Sequence, residues 1–192
     1  MHRHTLGLAL VLVALPLTGL AAQAGGNPKA VLVGGPDMGA KAPDFSLAWA
    51  TKEAVGPADS PYQLWRDRGK TVVLAFFPAD FTKGCTAEMQ TFAEQYDSLF
   101  GPDVVVLGIS ADSVETHKRF AASLGLPFRL LSDPDLAVAR KYASHGDEGR
   151  AKRTVFVIGP DGRIKYRNMK FNALDPKDYS ALGSAVGAAR GG

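Results

Sequence analysis

Two long runs of β-branched and aromatic residues, TVVLAFF at 71–77 and DVVVLGIS at 103–110, constrain the fold most. Runs of this kind are typical of strands that are buried on both faces of a sheet. A helical pattern follows the first run at 85–100, and a second helical pattern at 112–126 starts with Asp112 and Glu115 spaced as a capping box. Strand, helix, strand and helix in alternation predict a parallel core and an α/β fold.

The flanking segments add elements on both sides of this core. They are a short strand at 42–50, one turn of helix around 62–65, a short strand within 126–135, a helix at 136–144, a hairpin at 153–168 and a final helix at 176–190. A βαβ unit followed by a helix and an antiparallel hairpin is the element order of a thioredoxin-like fold. We therefore predict a mixed central sheet flanked by helices.

The first 24 residues have the features of a secretory signal peptide: a short basic start, an apolar run and a small-x-small cleavage site. An uncleaved anchor is the alternative, but Pro16 interrupts the run, and a spanning helix needs roughly 20 apolar residues. We predict a cleaved signal at 1–24, a flexible Gly- and Pro-rich leader at 25–40 and one domain at 41–192. The mature protein is expected in the periplasm, without stable membrane insertion.

Charge and cysteine content exclude several classes of function. Removal of Arg3 with the signal leaves 21 basic against 19 acidic residues, a net charge of +2 that is too small and scattered to indicate nucleic-acid binding. The only cysteine, Cys85, cannot form an internal disulfide, and one cysteine with four histidines does not indicate a zinc cluster. We expect no metal and no cofactor, so sulfur chemistry would use this thiol with one from another molecule.

Cys85 lies where the first predicted strand connects to the following helix. If Thr82 is the N-cap, its hydroxyl reaches the N2 or N3 backbone, so that oxygen and the Cys85 sulfur share one small region. Unbonded N–H groups and the helix dipole at this end favour a thiolate, which is the nucleophilic form of cysteine. Gly84 keeps side-chain bulk away from the sulfur, and Pro78 fixes the turn and covers the site.

Plainer interpretations exist for these and other polar residues. Cys85 on its own is equally consistent with a small, inert, buried hydrophobic residue. We assign no role to His117, which is expected to face out of a polar stretch of helix, or to His145, which lies in a loop. The absence of a Cys-x-x-Cys pair argues against dithiol exchange of the thioredoxin type.

Pro78, Thr82 and Cys85 match the Pro-x-x-x-Thr-x-x-Cys motif of the peroxiredoxins, and Arg153 in KRTVFVI matches an arginine of that family. The resemblance extends from about residue 41 to the end of the chain. GCT and the segment from LPF to LLSD resemble the PrxQ, or bacterioferritin comigratory protein, branch of this alkyl hydroperoxide reductase and thiol-specific antioxidant superfamily.

The resemblance implies a thiol-dependent peroxidase. Cys85 would be the peroxidatic nucleophile that attacks peroxide and becomes a sulfenic acid, while Thr82 and Arg153 would bind the peroxide oxygens. Pro78 would shield the sulfenic acid, and Glu88, three residues after the cysteine, would orient the arginine. Plainer roles for Thr82 as a cap, Pro78 as a turn residue and Glu88 as a solvated acid stay open.

One position departs from the pattern of many PrxQ-like proteins. These carry a resolving cysteine five residues after the first, where this chain has Gln90. The resemblance therefore implies a one-cysteine peroxiredoxin, a monomer or weak dimer, that is reduced by an external low-molecular-weight thiol or a thioredoxin-like protein. The alternative is a peroxide sensor or thiol-docking domain without efficient turnover.

Overall fold

The computed structural model describes Met1, His2 and residues 34–191. In this part of the chain, seven strands form one sheet in the order β2-β1-β5-β4-β3-β6-β7. The strands are β1 (Ser46–Ala50), β2 (Tyr62–Gln63), β3 (Thr71–Phe76), β4 (Val104–Ser110), β5 (Arg129–Ser132), β6 (Thr154–Ile158) and β7 (Ile164–Asn168). The predicted mixed sheet is confirmed.

The three central strands, β5, β4 and β3, run parallel, and the outer strands pair antiparallel. Every residue of β3 is buried, as expected for a run of β-branched and aromatic residues covered on both faces. Alternate side chains of β3 enter two separate cores: Val73 and Ala75 point into one, and Leu74 and Phe76 into the other.

Five α-helices flank the sheet in the described chain: α1 (Lys83–Glu94), α2 (Tyr96–Leu99), α3 (Val114–Leu124), α4 (Ala137–Lys141) and α5 (Pro176–Arg190). Buried residues of α1, α3 and α5 contribute to the core that contains Val73, whereas α4 and a short 3₁₀ helix at Leu64–Asp67 contribute to the core that contains Phe76. This layered arrangement brings the N-terminus of α1 to the carboxyl end of β3.

Two local predictions about the helices were wrong. The helix predicted at 85–100 divides into α1 and α2, with Gln95 between them in a non-helical conformation. The predicted capping box at Asp112 does not form, because Ser113 is the N-cap of α3 and accepts a hydrogen bond from the Thr116 N–H. Gly125 ends α3 in the left-handed conformation, as expected of a C-terminal glycine.

The predicted signal peptide and most of the predicted leader lie outside the described residues. Residues 34–40 of that leader are described, and they hydrogen-bond to the β6–β7 hairpin through Gly39 N–H to Ile164 O at 2.8 Å. Arg167 also donates to the carbonyl of Pro36 and forms an ion pair with Asp37. The bonded part of the domain therefore begins before residue 41, where we predicted that the domain starts.

The described residues lack two further kinds of feature. None of the helices there combines the length and the apolar character that crossing a membrane requires. The same residues contain no group of three or more His, Cys, Asp and Glu side chains arranged to hold a metal ion.

Candidate active site

Cys85 is the third residue of α1, directly after the loop that leaves β3. Its side chain has no exposed surface and packs in the core with Val73, Phe77 and Met89. Thr82 accepts the first backbone bond of the helix, from Thr86 N–H at 2.8 Å. The expected position of the sulfur, at a strand-to-helix turn, is thus confirmed, and peptide N–H groups at the start of a helix carry partial positive charge.

Arg153 approaches the sulfur from the residue before β6. Its Nη2 donates to Cys85 Sγ at 3.3 Å, and its Nη1 pairs with the Glu88 carboxylate. The two arms of one guanidinium therefore hold the thiol and a carboxylate from successive turns of α1. A permanently charged, planar group in this position orients the sulfur.

Gly84 makes room for this guanidinium. A Cβ built on Gly84 would lie 3.1 Å from Arg153 Nη2, which is closer than ordinary van der Waals contact. The expected function of Gly84 was to keep bulk away from the sulfur. In the structure the absent side chain instead leaves space for the arginine that contacts the sulfur.

Thr82 occupies the N-cap position of α1, but it does not cap the helix with its side chain. Its hydroxyl donates to the carbonyl of Ala79 at 3.0 Å, so the predicted bond to the N2 or N3 backbone is absent. The N–H groups of Gly84 and Cys85 have no acceptor among the described residues. With its proton committed to Ala79, the Thr82 oxygen can still accept a hydrogen bond.

Pro78 is half-buried and follows the last core residue of the strand run, Phe77. The loop then passes through Phe81, a residue with φ of 58° in the left-handed region and a largely exposed side chain. Non-glycine residues adopt this conformation only when their surroundings require it. The loop from Pro78 to Thr82 is therefore held in one particular shape beside the sulfur.

Glu88 is fully buried, and its Oε1 has no hydrogen-bond partner in the described chain. Burial raises the pKa of the Glu88 carboxyl from 4.5 to about 7, against the lowering effect of the adjacent Arg153 guanidinium. The alternative of a solvated first-turn acid was wrong, because the side chain lies inside the protein. Its contact with Nη1 is the geometry expected of a residue that orients Arg153.

The buried Glu88 carboxyl predicts a pH-dependent stability. The folded protein keeps this proton up to about pH 7, whereas the unfolded chain releases it near 4.5, so stability falls as the pH rises between these values. We expect the free energy of unfolding of Glu88→Gln, relative to that of the wild type, to rise by up to about 3 kcal/mol as the pH increases through this window. Urea unfolding of both proteins from pH 4 to pH 8 measures the difference, and a difference independent of pH would contradict the prediction.

His117 was predicted to face solvent, and this was wrong. Its side chain is fully buried in α3, with Nδ1 at 2.8 Å from Asp80 Oδ2 and Nε2 at 3.1 Å from the Leu131 carbonyl. A signal was present in the sequence, since His117 is spaced three residues from both Val114 and Phe120, on one side of the helix. Asp80, within the loop beside Cys85, was also missed. His145 is exposed, and no role is assigned to it.

The structure thus brings four of the five predicted site residues into one set of contacts or adjacent positions: Cys85, Arg153, Glu88 and Thr82. Pro78 begins the same loop. A buried sulfur beside a cation, free peptide N–H groups and an accepting hydroxyl can bind a small molecule with two oxygens. A cation and unbonded N–H groups can stabilise negative charge that develops in such a site.

Comparisons with known proteins agree with this chemistry. Residues 38–167 match the AhpC/TSA family. Peroxiredoxin Bcp of Bacillus subtilis is 34% identical over 143 residues, which cover 70% of this chain and 87% of that protein.

Solved structures show the same fold. The crystal structure of peroxidoxin BcpB from Mycobacterium tuberculosis superimposes with a TM-score of 0.68 at 27% identity, over 81% of this chain and 99% of that one. PrxQ of Xylella fastidiosa superimposes with a TM-score of 0.67 at 22% identity, over 81% of this chain and 98% of that one. The second likeness supports the fold alone.

Proposed function

The chain belongs to the AhpC/TSA family as a thiol-dependent peroxidase related to the Bcp and PrxQ peroxiredoxins, and we propose that it reduces hydrogen peroxide and small organic hydroperoxides through a sulfenic acid on Cys85. The observation that carries this proposal is the contact between Arg153 Nη2 and Cys85 Sγ at 3.3 Å. It joins a nucleophile and a charge-stabilising group that are 68 residues apart in the chain.

The first half-reaction oxidises the sulfur. The Cys85 thiolate attacks one peroxide oxygen, an S–O bond forms and the O–O bond breaks. The electron pair of the O–O bond leaves with the second oxygen, which takes a proton from solvent and departs as water or an alcohol. Cys85 is then a sulfenic acid, oxidised by two electrons.

The surrounding groups have separate tasks in this step. Arg153 stabilises both the thiolate and the charge that develops on the leaving oxygen, because its guanidinium stays protonated throughout. The N–H groups of Gly84 and Cys85, which have no acceptor among the described residues, are further donors for the developing charge. Thr82 accepts a peroxide O–H, which aligns the O–O bond with the sulfur.

The second half-reaction needs a thiol from another molecule, because the chain has one cysteine. That thiol attacks the sulfenic sulfur, water leaves, and a mixed disulfide forms. A second external thiol attacks the mixed disulfide, restores the Cys85 thiol and leaves as part of a disulfide. Gln90, at the position of a resolving cysteine, is exposed and bonds Glu94, so it takes no part.

Full burial of Cys85 separates the two half-reactions sterically. With no exposed surface, Cys85 is closed to peroxide and thiol alike, and a thiol that must reach the sulfur in line with the S–O bond requires a larger opening than a peroxide does. We infer that the first turn of α1 opens before reduction. The reductant that fits is a low-molecular-weight thiol or the exposed thiol of a thioredoxin-like protein.

Turnover with and without thiol tests the proposed function. We expect the purified protein to consume one equivalent of hydrogen peroxide per Cys85 and stop, and to continue for many equivalents when glutathione or a thioredoxin is supplied. Protein alkylated at Cys85 serves as the control. Consumption that stops at one equivalent with every thiol would instead support the alternative of a peroxide sensor.

We also propose that the protein is exported to the periplasm and acts there as a monomer or weak dimer. Export is supported by the sequence of residues 1–24, with its basic start, apolar run and cleavage site. Fractionation of expressing cells and the mass of the recovered protein test it. A protein that stays in the cytosol with its first 24 residues intact contradicts it.

A further inference from the structure

A buried pair of ionisable side chains joins α3 to the loop beside the active site. His117 Nδ1 and Asp80 Oδ2 are 2.8 Å apart, and both side chains have no exposed surface. Neither group contacts Cys85, and the reaction described above does not use them. Burial of two ionisable side chains costs desolvation free energy unless each polar atom has a partner, which suggests that this pair has a function.

Hydrogen-bond partners determine how many protons the pair holds. The Leu131 carbonyl can only accept, so His117 Nε2 carries a hydrogen. The 2.8 Å contact then needs one proton between Nδ1 and Oδ2, whether it is bonded to the imidazole or to the carboxyl group. Burial raises the pKa of the Asp80 carboxyl, against the lowering effect of His117, and Asp80 Oδ1 has no partner. The pair as a whole is therefore neutral.

Asp80 is anchored through its backbone as well as its side chain. Its N–H donates to Asp112 Oδ2 at 2.9 Å, and the same carboxylate oxygen accepts from Ser110 Oγ at 2.7 Å. Asp112 precedes Ser113, the N-cap of α3, and His117 lies within α3. Two independent hydrogen bonds thus connect one loop residue to one end of a single helix, which fixes the loop backbone there.

The neighbours of Asp80 transmit this position to the active site. The Thr82 hydroxyl donates a hydrogen bond to the carbonyl of Ala79, so this bond closes the short segment that contains Asp80. Between them, the Phe81 ring packs on Phe120 of α3 with centroids 5.0 Å apart. Displacement of Asp80 would move the carbonyl that orients the Thr82 hydroxyl, the group next to the peroxide site.

We propose that Asp80 and His117 share one proton and act as a positioning pair, which holds the loop from Pro78 to Thr82 in the shape that peroxide reduction requires. The inference rests on the proposed reaction at Cys85. The pair acts through Thr82 and touches neither substrate nor sulfur. Its contribution is geometric, and a small misplacement of a substrate-binding group reduces a rate by up to about 100-fold.

Two conservative replacements of His117 separate positioning from stability. Asn ends near the place of Nδ1 and keeps a polar contact with Asp80, whereas Gln ends near the place of Nε2 and keeps the bond to Leu131. Each variant loses one of two buried hydrogen bonds, so we expect similar stability. The rate constant for Cys85 oxidation by hydrogen peroxide is expected to fall at least about 10-fold further in His117→Gln than in His117→Asn.

Replacements of Asp80 test the shared proton. Asp80→Asn can donate from its amide to Nδ1, so it should oxidise within about three-fold of the wild-type rate, while Asp80→Ala should be about 10- to 100-fold slower. In a Thr82→Val background, Asp80→Ala should cost less than about two-fold, because its effect passes through the Thr82 hydroxyl. Tyr142→Phe, which removes a partly buried hydrogen bond from a residue of the other core to the Pro43 carbonyl, should leave the rate unchanged.

Single-turnover oxidation of Cys85, followed by stopped flow on protein shown to be folded by urea titration, provides all these rates. Equal rates for His117→Gln and His117→Asn, or an Asp80→Asn variant as slow as Asp80→Ala, would overturn the proposal. Reduction by thiol does not enter this assay. A wild-type protein that oxidises but does not turn over would refute the proposed peroxidase cycle without affecting the outcome for the pair.

Discussion

The Cys85→Ser variant is expected to consume peroxide no faster than the uncatalysed background, a loss of roughly 10⁴-fold or more. A serine hydroxyl in the same buried position stays protonated, because contact with one guanidinium does not convert an alcohol into an alkoxide at neutral pH. Sulfur is also the only atom at this site that can accept the peroxide oxygen as a stable sulfenic acid. Peroxide consumption with an excess of thiol measures the effect.

The fold should survive this replacement, which makes the result interpretable. Serine fits the space of Cys85, and its hydroxyl can accept from Arg153 Nη2 in place of the sulfur. We expect unfolding free energies within about 1 kcal/mol of each other. Unchanged turnover in Cys85→Ser would refute the proposed function, because it would place the chemistry at another residue.

Arg153→Ala is expected to slow Cys85 oxidation by about 10²- to 10³-fold, the usual consequence of removing one donor that stabilises developing charge. The variant loses the contact with Sγ, and with it the positive charge beside the attacking sulfur and the leaving oxygen. Arg153→Lys should recover only part of the rate, because an ammonium cannot contact Sγ and Glu88 with two separate arms. Stopped-flow oxidation at fixed pH compares the three proteins.

Two controls separate this effect from damage to the fold. Arg153→Ala removes the guanidinium that lowers the pKa of the buried Glu88 carboxyl, so the carboxyl stays neutral, and the double variant with Glu88→Gln should have about the stability of Arg153→Ala and regain no rate. Arg167→Ala removes a partly buried arginine that bonds Asp37 and Pro36, and should oxidise at the wild-type rate. A rate within three-fold of wild type for Arg153→Ala would contradict the role given to Arg153.

Much of the fold was predictable because its signals are local. The β3 and β4 runs are continuous, the hairpin turn carries glycines at both ends, and the last helix begins at Pro176 and ends at Arg190 as predicted. The break at Gln95 was not predictable, because helical spacing of apolar residues continues across it. The N-cap of α3 was misassigned to Asp112, whose carboxylate instead accepts from Ser110 and from the Asp80 N–H beyond the carboxyl ends of β3 and β4.

The site divides in the same way. The motif formed by Pro78, Thr82 and Cys85 located the thiol and its neighbours in sequence. The match of Arg153 added a cation that is distant in the chain. The predicted hydrogen bond of the Thr82 hydroxyl was wrong. An N-cap side chain commonly bonds the backbone of its own helix, whereas this hydroxyl donates to the carbonyl of Ala79. His117 was misplaced for a related reason: a polar residue on a helix was assigned to solvent, although a partner for it lies in another element.

The sequence by itself determined that a single thiol lies at a strand-to-helix turn, that no second cysteine can resolve it, and that the surrounding fold is a mixed α/β sheet. Tertiary structure alone decided that Arg153 divides its two arms between Cys85 and Glu88 and that Asp80 and His117 meet inside the protein. The physical reason is that burial of a charged or polar group depends on its partner. These partners lie 37 to 68 residues apart, and only the packing of α1, α3 and β6 on one sheet brings them within bonding distance.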